Sequence, residues 1–217
     1  MSTTSSRGTI GIIGAGKSGV AIARLALTAG YTVNIASSGP AHETALMTDI
    51  VSPGAHAVDL ADIGDGADLL LIAVPLRRFR DLPTHLFTGR TVIDVMNYWP
   101  PIDGALPDFA DTDRPSSAII QDAIPDAFVV KTFNHLGYHQ MDDLPRPEGT
   151  ADRIALGVAA NDSAALTQVT DFVNAVGFTP VSIGRLEDSS ILQPETLLFG
   201  AALTADELAG HLPAAVH

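Results

Sequence analysis

The chain is 217 residues long, nearly half of them hydrophobic, with a formal net charge of −13 and no cysteine. The acidic balance argues against nucleic-acid or anionic-membrane partners, which need a basic face, and no apolar run reaches the ~18 residues of a membrane span. Without cysteine there are no disulfides, thiol catalysis or cysteine metal sites, and the length suits one domain with a small appendage.

Residues 1–8 are polar and lack the apolar centre of a secretory signal, so they read as a flexible lead-in and the cytoplasm is the expected location. Residues 9–217 read as one nucleotide-binding domain, with about 150–217 a C-terminal α/β extension. An apolar strand at 9–13 runs into Gly14-Ala15-Gly16-Lys17-Ser18-Gly19 and then into a helix over 18–29, closed by Gly30. That order is what a dinucleotide-binding turn requires. Gly14 permits the turn, Gly16 lets backbone approach a pyrophosphate, and Gly19 lets helix and strand pack closely. The N–H groups and the positive helix end hold the anion.

A second strand spans 31–36 and is broken by Ser37-Ser38-Gly39-Pro40. A helix over 40–51 follows, with Leu46 and Ile50 on one face, then a short strand near 55–58. Residues 68–74, 91–95 and 128–131 are apolar strands of the kind a parallel sheet covers on both faces. Residues 96–115 read as a long loop, and Ser116-Ser117 as the cap of a helix through Ala123. A strand at 154–159, a helix at 162–176 and a strand at 179–183 complete the pattern. The alternation predicts an α/β fold, a Rossmann-type doubly wound, mostly parallel sheet.

In the usual NAD fingerprint an acidic residue ends the second strand and binds the ribose. Here Ala36, Ser37 and Ser38 stand there, which favours a 2′-phosphate and NADP(H), although no arginine accompanies them. Ordinary turn chemistry before Pro40 is the other reading. Ala73, Val74 and Pro75 end the most apolar strand, and strand C-termini line the cofactor crevice. Arg77, Arg78 and Arg80 follow, among only twelve lysines and arginines. They either focus an anion at the site or pair with Asp81 and other surface acids. Met96, Asn97 and Tyr98 follow another strand end and are placed to border a nicotinamide, unless Asn97 merely caps a turn. Asn134 and His135, after Lys131, are weak candidates for substrate contact or proton donation. His135 and His139 are four apart, but no third ligand accompanies them, so no metal is expected. Direct hydride transfer needs none of these as a reacting group, since positioning alone supplies up to ~7–11 kcal/mol.

With those residues in view, the chain resembles the coenzyme F420-dependent NADP oxidoreductases. The likeness rests on Gly14-Ala15-Gly16-Lys17-Ser18-Gly19, Ser37-Ser38-Gly39-Pro40, Ala73-Val74-Pro75, Val92-Ile93-Asp94 with Asn97-Tyr98, Val130-Lys131-Thr132-Phe133-Asn134, Asn161-Asp162 and Gln193-Pro194-Glu195. The resemblance implies a Rossmann-type domain, commonly a homodimer, that moves hydride between NADP(H) and a deazaflavin, coenzyme F420, stacked on the nicotinamide. Family members commonly carry an arginine where this chain has Ser38. Two other readings stay open: an NADPH-dependent reductase of a small carbonyl, imine or other acceptor, and a non-catalytic NADP(H)-sensing module. A hydroxy-acid dehydrogenase fits less well, because Lys131 and Asn134 lie at a strand end with too little chain beyond for a helical substrate domain. The apolar stretch from Ile191 to Phe199 reads either as a subunit interface or as a final helix packed on the core.

Overall fold

Short aliphatic runs bounded by Gly, Ser or Pro form the strands, and the longer amphipathic runs between them form the helices. The computed structural model describes residues 7–213; residues 1–6, most of the expected flexible lead-in, lie outside the described residues. The first half comprises β1 (Thr9–Ile13), α1 (Lys17–Thr28), β2 (Thr32–Ala36), α2 (Ala41–Val51), β3 (His56–Ala57), β4 (Leu69–Ile72) and β5 (Thr91–Asp94). Then come α3 (Pro100–Asp103), α4 (Pro107–Ala110), α5 (Ser116–Ala123), β6 (Phe128–Lys131) and α6 (Tyr138–Asp143). The chain closes with β7 (Ala155–Ala160), α7 (Ser163–Ala175), β8 (Thr179–Gly184) and α8 (Ala205–Ala209).

All eight strands join one sheet in the order β3-β2-β1-β4-β5-β6-β7-β8. The first six are parallel, β7 runs antiparallel to β6, and β8 is parallel to β7. The order 3-2-1-4-5-6 is Rossmann double winding, and its reversal between β1 and β4 opens a crevice at the strand C-termini. One apolar layer packs α1 and α7 on the sheet through Ile22, Leu25, Val169 and Phe172. The other packs α5 and the turn after β4 through Leu76, Phe79, Ile120 and Ile124. No helix among the described residues is long and apolar enough to cross a membrane.

Four local expectations change. The stretch 96–115 is not all loop: α3 and α4 are single turns, each opened by a proline at its start, where the missing N–H costs nothing. Ser116 and Ser117 do not cap α5; Pro115 holds that position and both serines are buried inside the first turn. Leu46 and Ile50 share a face of α2, but that face is solvent, at 74% and 79% exposure. Thr44 and Thr48 are buried instead, their hydroxyls donating to carbonyls one turn back, which lets a polar side chain enter the core. In the stretch from Ile191 to Phe199 no α-helix forms: Leu192 and Leu198 are buried against Ala155 and Leu208, while Leu197 is exposed.

Candidate functional site

The site grows from the turn between β1 and α1. Gly14 has φ +117, and a Cβ there would meet the Ala73 carbonyl oxygen at 2.5 Å. A Cβ on Gly19 would overlap the Gly14 carbonyl oxygen, so helix and turn touch through backbone alone. Nothing lies within 4 Å of a Cβ built on Gly16, which leaves open space above the turn. Gly16 is also the N-cap of α1, with no side-chain cap and no acidic residue in the first turn. The first amide N–H groups of α1 are therefore available to an anion, and the helix dipole favours one there. These residues fit a dinucleotide pyrophosphate.

A cavity of about 460 Å³ opens at this turn. It gathers Gly14, Ala15 and Gly16 with Ser37 and Ser38 from the end of β2 and Ala73, Val74 and Pro75 from the end of β4. Arg77, Arg78 and Asp81 also reach it; Arg80 does not line it and pairs with Asp108. Arg78 lines the cavity and also pairs with Asp81 at 3.0 Å. Lys17 does not line the cavity. Its Nζ donates to the Tyr138 hydroxyl at 3.2 Å and lies 4.9 Å from that ring's centroid. Gly19 packs beneath the turn, and Ser18 does not line the cavity.

The neighbouring strand ends, β5 and β6, hold a polar group that the sequence reading did not single out. Asp94 and Lys131 are register partners and both are fully buried. Lys131 Nζ donates to Asp94 Oδ2 at 3.2 Å and to the Met96 carbonyl; Ser117 Oγ donates to the same carboxylate oxygen at 2.6 Å and the Met96 N–H to its mate at 2.9 Å. Burial pushes the Lys131 ammonium below its usual range, and Asp94 opposes the shift. A lysine and an aspartate standing at the ends of apolar strands were the signal that could have found this pair. The expectation for Met96 changes with it: its carbonyl serves Lys131 and its side chain is in the core.

Beyond this pair, Asn97 Nδ2 donates to the Asn134 carbonyl at 2.8 Å, and Asn134 Nδ2 donates to Asn97 Oδ1 at 3.0 Å and to the Leu192 carbonyl at 2.7 Å. The two asparagines lock the β5 and β6 ends together, and Asn97 is more than a turn cap. Asn134 Oδ1 is buried and without a partner. The preceding Phe133 sits at φ 63, a strained conformation for a bulky residue, held by ring packing on Phe172 and Phe178. His135 is 2% exposed. The Gly157 N–H donates to its Nε2 at 3.3 Å, and Nδ1 has no partner. Burial first, then the Lys131 charge, lowers its pKa from 6.5 to about 4. His135 is therefore a neutral core histidine, and the expectation of a proton donor there is not met. It also precedes α6, whereas His139 lies within it, so the two imidazoles do not share a helical face.

A second hollow, of about 720 Å³, lies beyond the end of β5. Tyr98, Trp99 and Phe109 supply aromatic side chains, Asp113, Arg114 and Glu195 the charged ones, and Ser116 and Gln193 polar ones. Ser116 Oγ is buried without a partner, while its N–H is taken by Gln193 Oε1 at 2.8 Å.

Residues 9–98 match the family model described as NADP oxidoreductase, coenzyme F420-dependent. A hypothetical protein from Sinorhizobium meliloti, solved crystallographically, is 32% identical over 91% of this chain and 95% of its own, with a TM-score of 0.77. A crystal structure from Arthrobacter sp. FB24, described as an F420-dependent NADP-reductase, is 23% identical over 82% and 85%, with a TM-score of 0.65. A reductive aminase from Aspergillus terreus, in complex with NADPH4, cyclohexanone and allyl amine, shares the fold at 16% identity and a TM-score of 0.59, this chain covering 86% of itself and 58% of that protein. No curated protein matches the sequence.

Proposed function

Because the chain belongs to the coenzyme F420-dependent NADP oxidoreductase family, whose members are NAD(P)-dependent oxidoreductases, we propose that it passes hydride between NADP(H) and a planar deazaflavin of the F420 type. The observation that carries the donor half is the cavity joining the glycine turn to the ends of β2 and β4 at the point where the strand order reverses. NADPH, when bound, supplies the hydride. The amides of residues 16–18 hold its pyrophosphate, and Ala73, Val74 and Pro75 form the wall behind it. The asparagine pair borders the nicotinamide, and Asn134 Oδ1, a buried acceptor lacking a donor, suits a carboxamide N–H.

The acceptor half rests on the aromatic hollow after β5, whose Tyr98, Trp99 and Phe109 offer faces to a flat ring system. Stopped-flow absorbance with NADPH and oxidised coenzyme F420 tests this reading. Fast NADPH-dependent loss of the visible deazaflavin band is expected, and Gly16→Val, which fills the open space above the turn, abolishes it while leaving far-UV circular dichroism unchanged. NADPH binding with no bleaching would overturn the acceptor, and undiminished NADPH binding by Gly16→Val would overturn the site.

A further inference from the structure

The nucleotide cavity has a cationic group, and it does not come from β2. Ser37 is already committed there: its Oγ accepts from the Gly39 N–H at 3.1 Å and shares a 2.6 Å hydrogen bond with Thr44 Oγ1. Ser38 is exposed and lines the cavity. Across the crevice, the turn Leu76–Asp81 after β4 carries three arginines with three different fates. Arg77 Nη1 donates to the Ile102 carbonyl, tying its guanidinium to α3. Arg80 turns away to Asp108. Arg78 lines the cavity, and among the described residues its guanidinium pairs with Asp81 only, both members being more than half exposed. Such a pair is weak in water and exchanges readily for a better anion.

We propose that Arg78, assisted by the Ser38 hydroxyl, recognises the 2′-phosphate of the adenosine ribose, so that preference for NADPH over NADH is set by the turn after β4. This rests on the nucleotide reading above and adds the specificity device to it. A guanidinium makes short, charge-assisted bonds to a phosphomonoester that it does not make to a ribose hydroxyl. Asp81 is the group the phosphate displaces, and it restrains NADPH affinity by competing for Arg78.

Isothermal titration of NADPH and NADH into the parent, Arg78→Gln, Asp81→Asn and the double variant Arg78→Gln/Ser38→Arg tests the assignment. Both wild-type side chains at the turn are exposed, so folding is not at stake. Arg78→Gln should weaken NADPH by about tenfold to a hundredfold and leave NADH unchanged. Asp81→Asn should tighten NADPH alone, and Ser38→Arg should restore NADPH affinity in the Arg78→Gln background. Unchanged NADPH affinity in Arg78→Gln, or an equal loss for both nucleotides, would overturn the assignment while leaving the nucleotide site standing. A parent that binds neither nucleotide would overturn the underlying reading, and this assignment with it.

Discussion

Acidification should destabilise this protein through one histidine. In the unfolded chain His135 titrates near 6.5; in the fold, burial and the Lys131 charge hold it at about 4. Between those values the unfolded state binds more protons than the folded state, so stability falls as pH falls. The contribution is present in full above pH 6.5 and is lost progressively as pH approaches 4. At about 1.36 kcal/mol per unit, the interval is worth about 3 kcal/mol, a sizeable part of the 5–15 kcal/mol of a typical domain. The structural cause is specific: protonating Nε2 would remove the acceptor of the Gly157 N–H and bury a second cation beside Lys131. Urea unfolding of the parent and His135→Gln, measured above pH 6.5 and at pH 4, isolates the contribution, because glutamine does not titrate. The parent should lose about 3 kcal/mol more than the variant on acidification. Parallel profiles would refute the assignment of a neutral buried imidazole.

Two further outcomes follow from backbone and charge. Gly19→Ala places a methyl on the Gly14 carbonyl oxygen, so it should cost about 1–3 kcal/mol in urea unfolding and weaken NADPH binding by shifting the turn; unchanged values for both would contradict the close contact. Asp94→Asn strands the fully buried Lys131 ammonium and should cost about 3–5 kcal/mol. Adding Lys131→Met should then cost less than the two single changes together, whereas strict additivity would show the two groups to be uncoupled.

The glycine turn and the strand ends beside it were legible because they follow from strand–turn–helix order. Gly19 meets Gly14 within the turn itself and Gly16 opens onto free space, while the approach of Gly14 to Ala73, like the placing of Val74 and Pro75, follows from the rule that strand ends line the crevice. Features formed by distant segments were hidden. Lys17 turns to Tyr138, 121 positions away, and nothing local to the glycine run announces it. The Asp94–Lys131 pair exists because β5 and β6 are adjacent and in register; from sequence each was only a polar residue closing an apolar run. The helices α3 and α4 are single turns, too short for a 3.6-residue period to appear. His135 reads as a polar loop residue until β7 brings Gly157 against it.

The position of the family match bears on which half of the chemistry the family name informs. The match ends at Tyr98, having covered β1 to β5, and so contains the glycine turn, Ser38, Val74 and Arg78. The aromatic hollow begins there: Trp99, Phe109, Arg114 and Ser116 follow, and Gln193 and Glu195 close it from the far end of the chain. Asn134, whose unpartnered Oδ1 is proposed to meet the nicotinamide carboxamide, also lies beyond the match. On the reading proposed above, the glycine turn, Ser38 and Arg78 lie in the part of the chain the family match covers, while Asn134 and most of the aromatic hollow lie in segments it does not reach. A Rossmann half of this kind serves many acceptors, since function resides in the residues grafted onto the shared sheet. If the hollow takes the acceptor as proposed, substitutions in α3, α4, the first turn of α5 and residues 193–195 should change the acceptor while leaving NADPH affinity as it is.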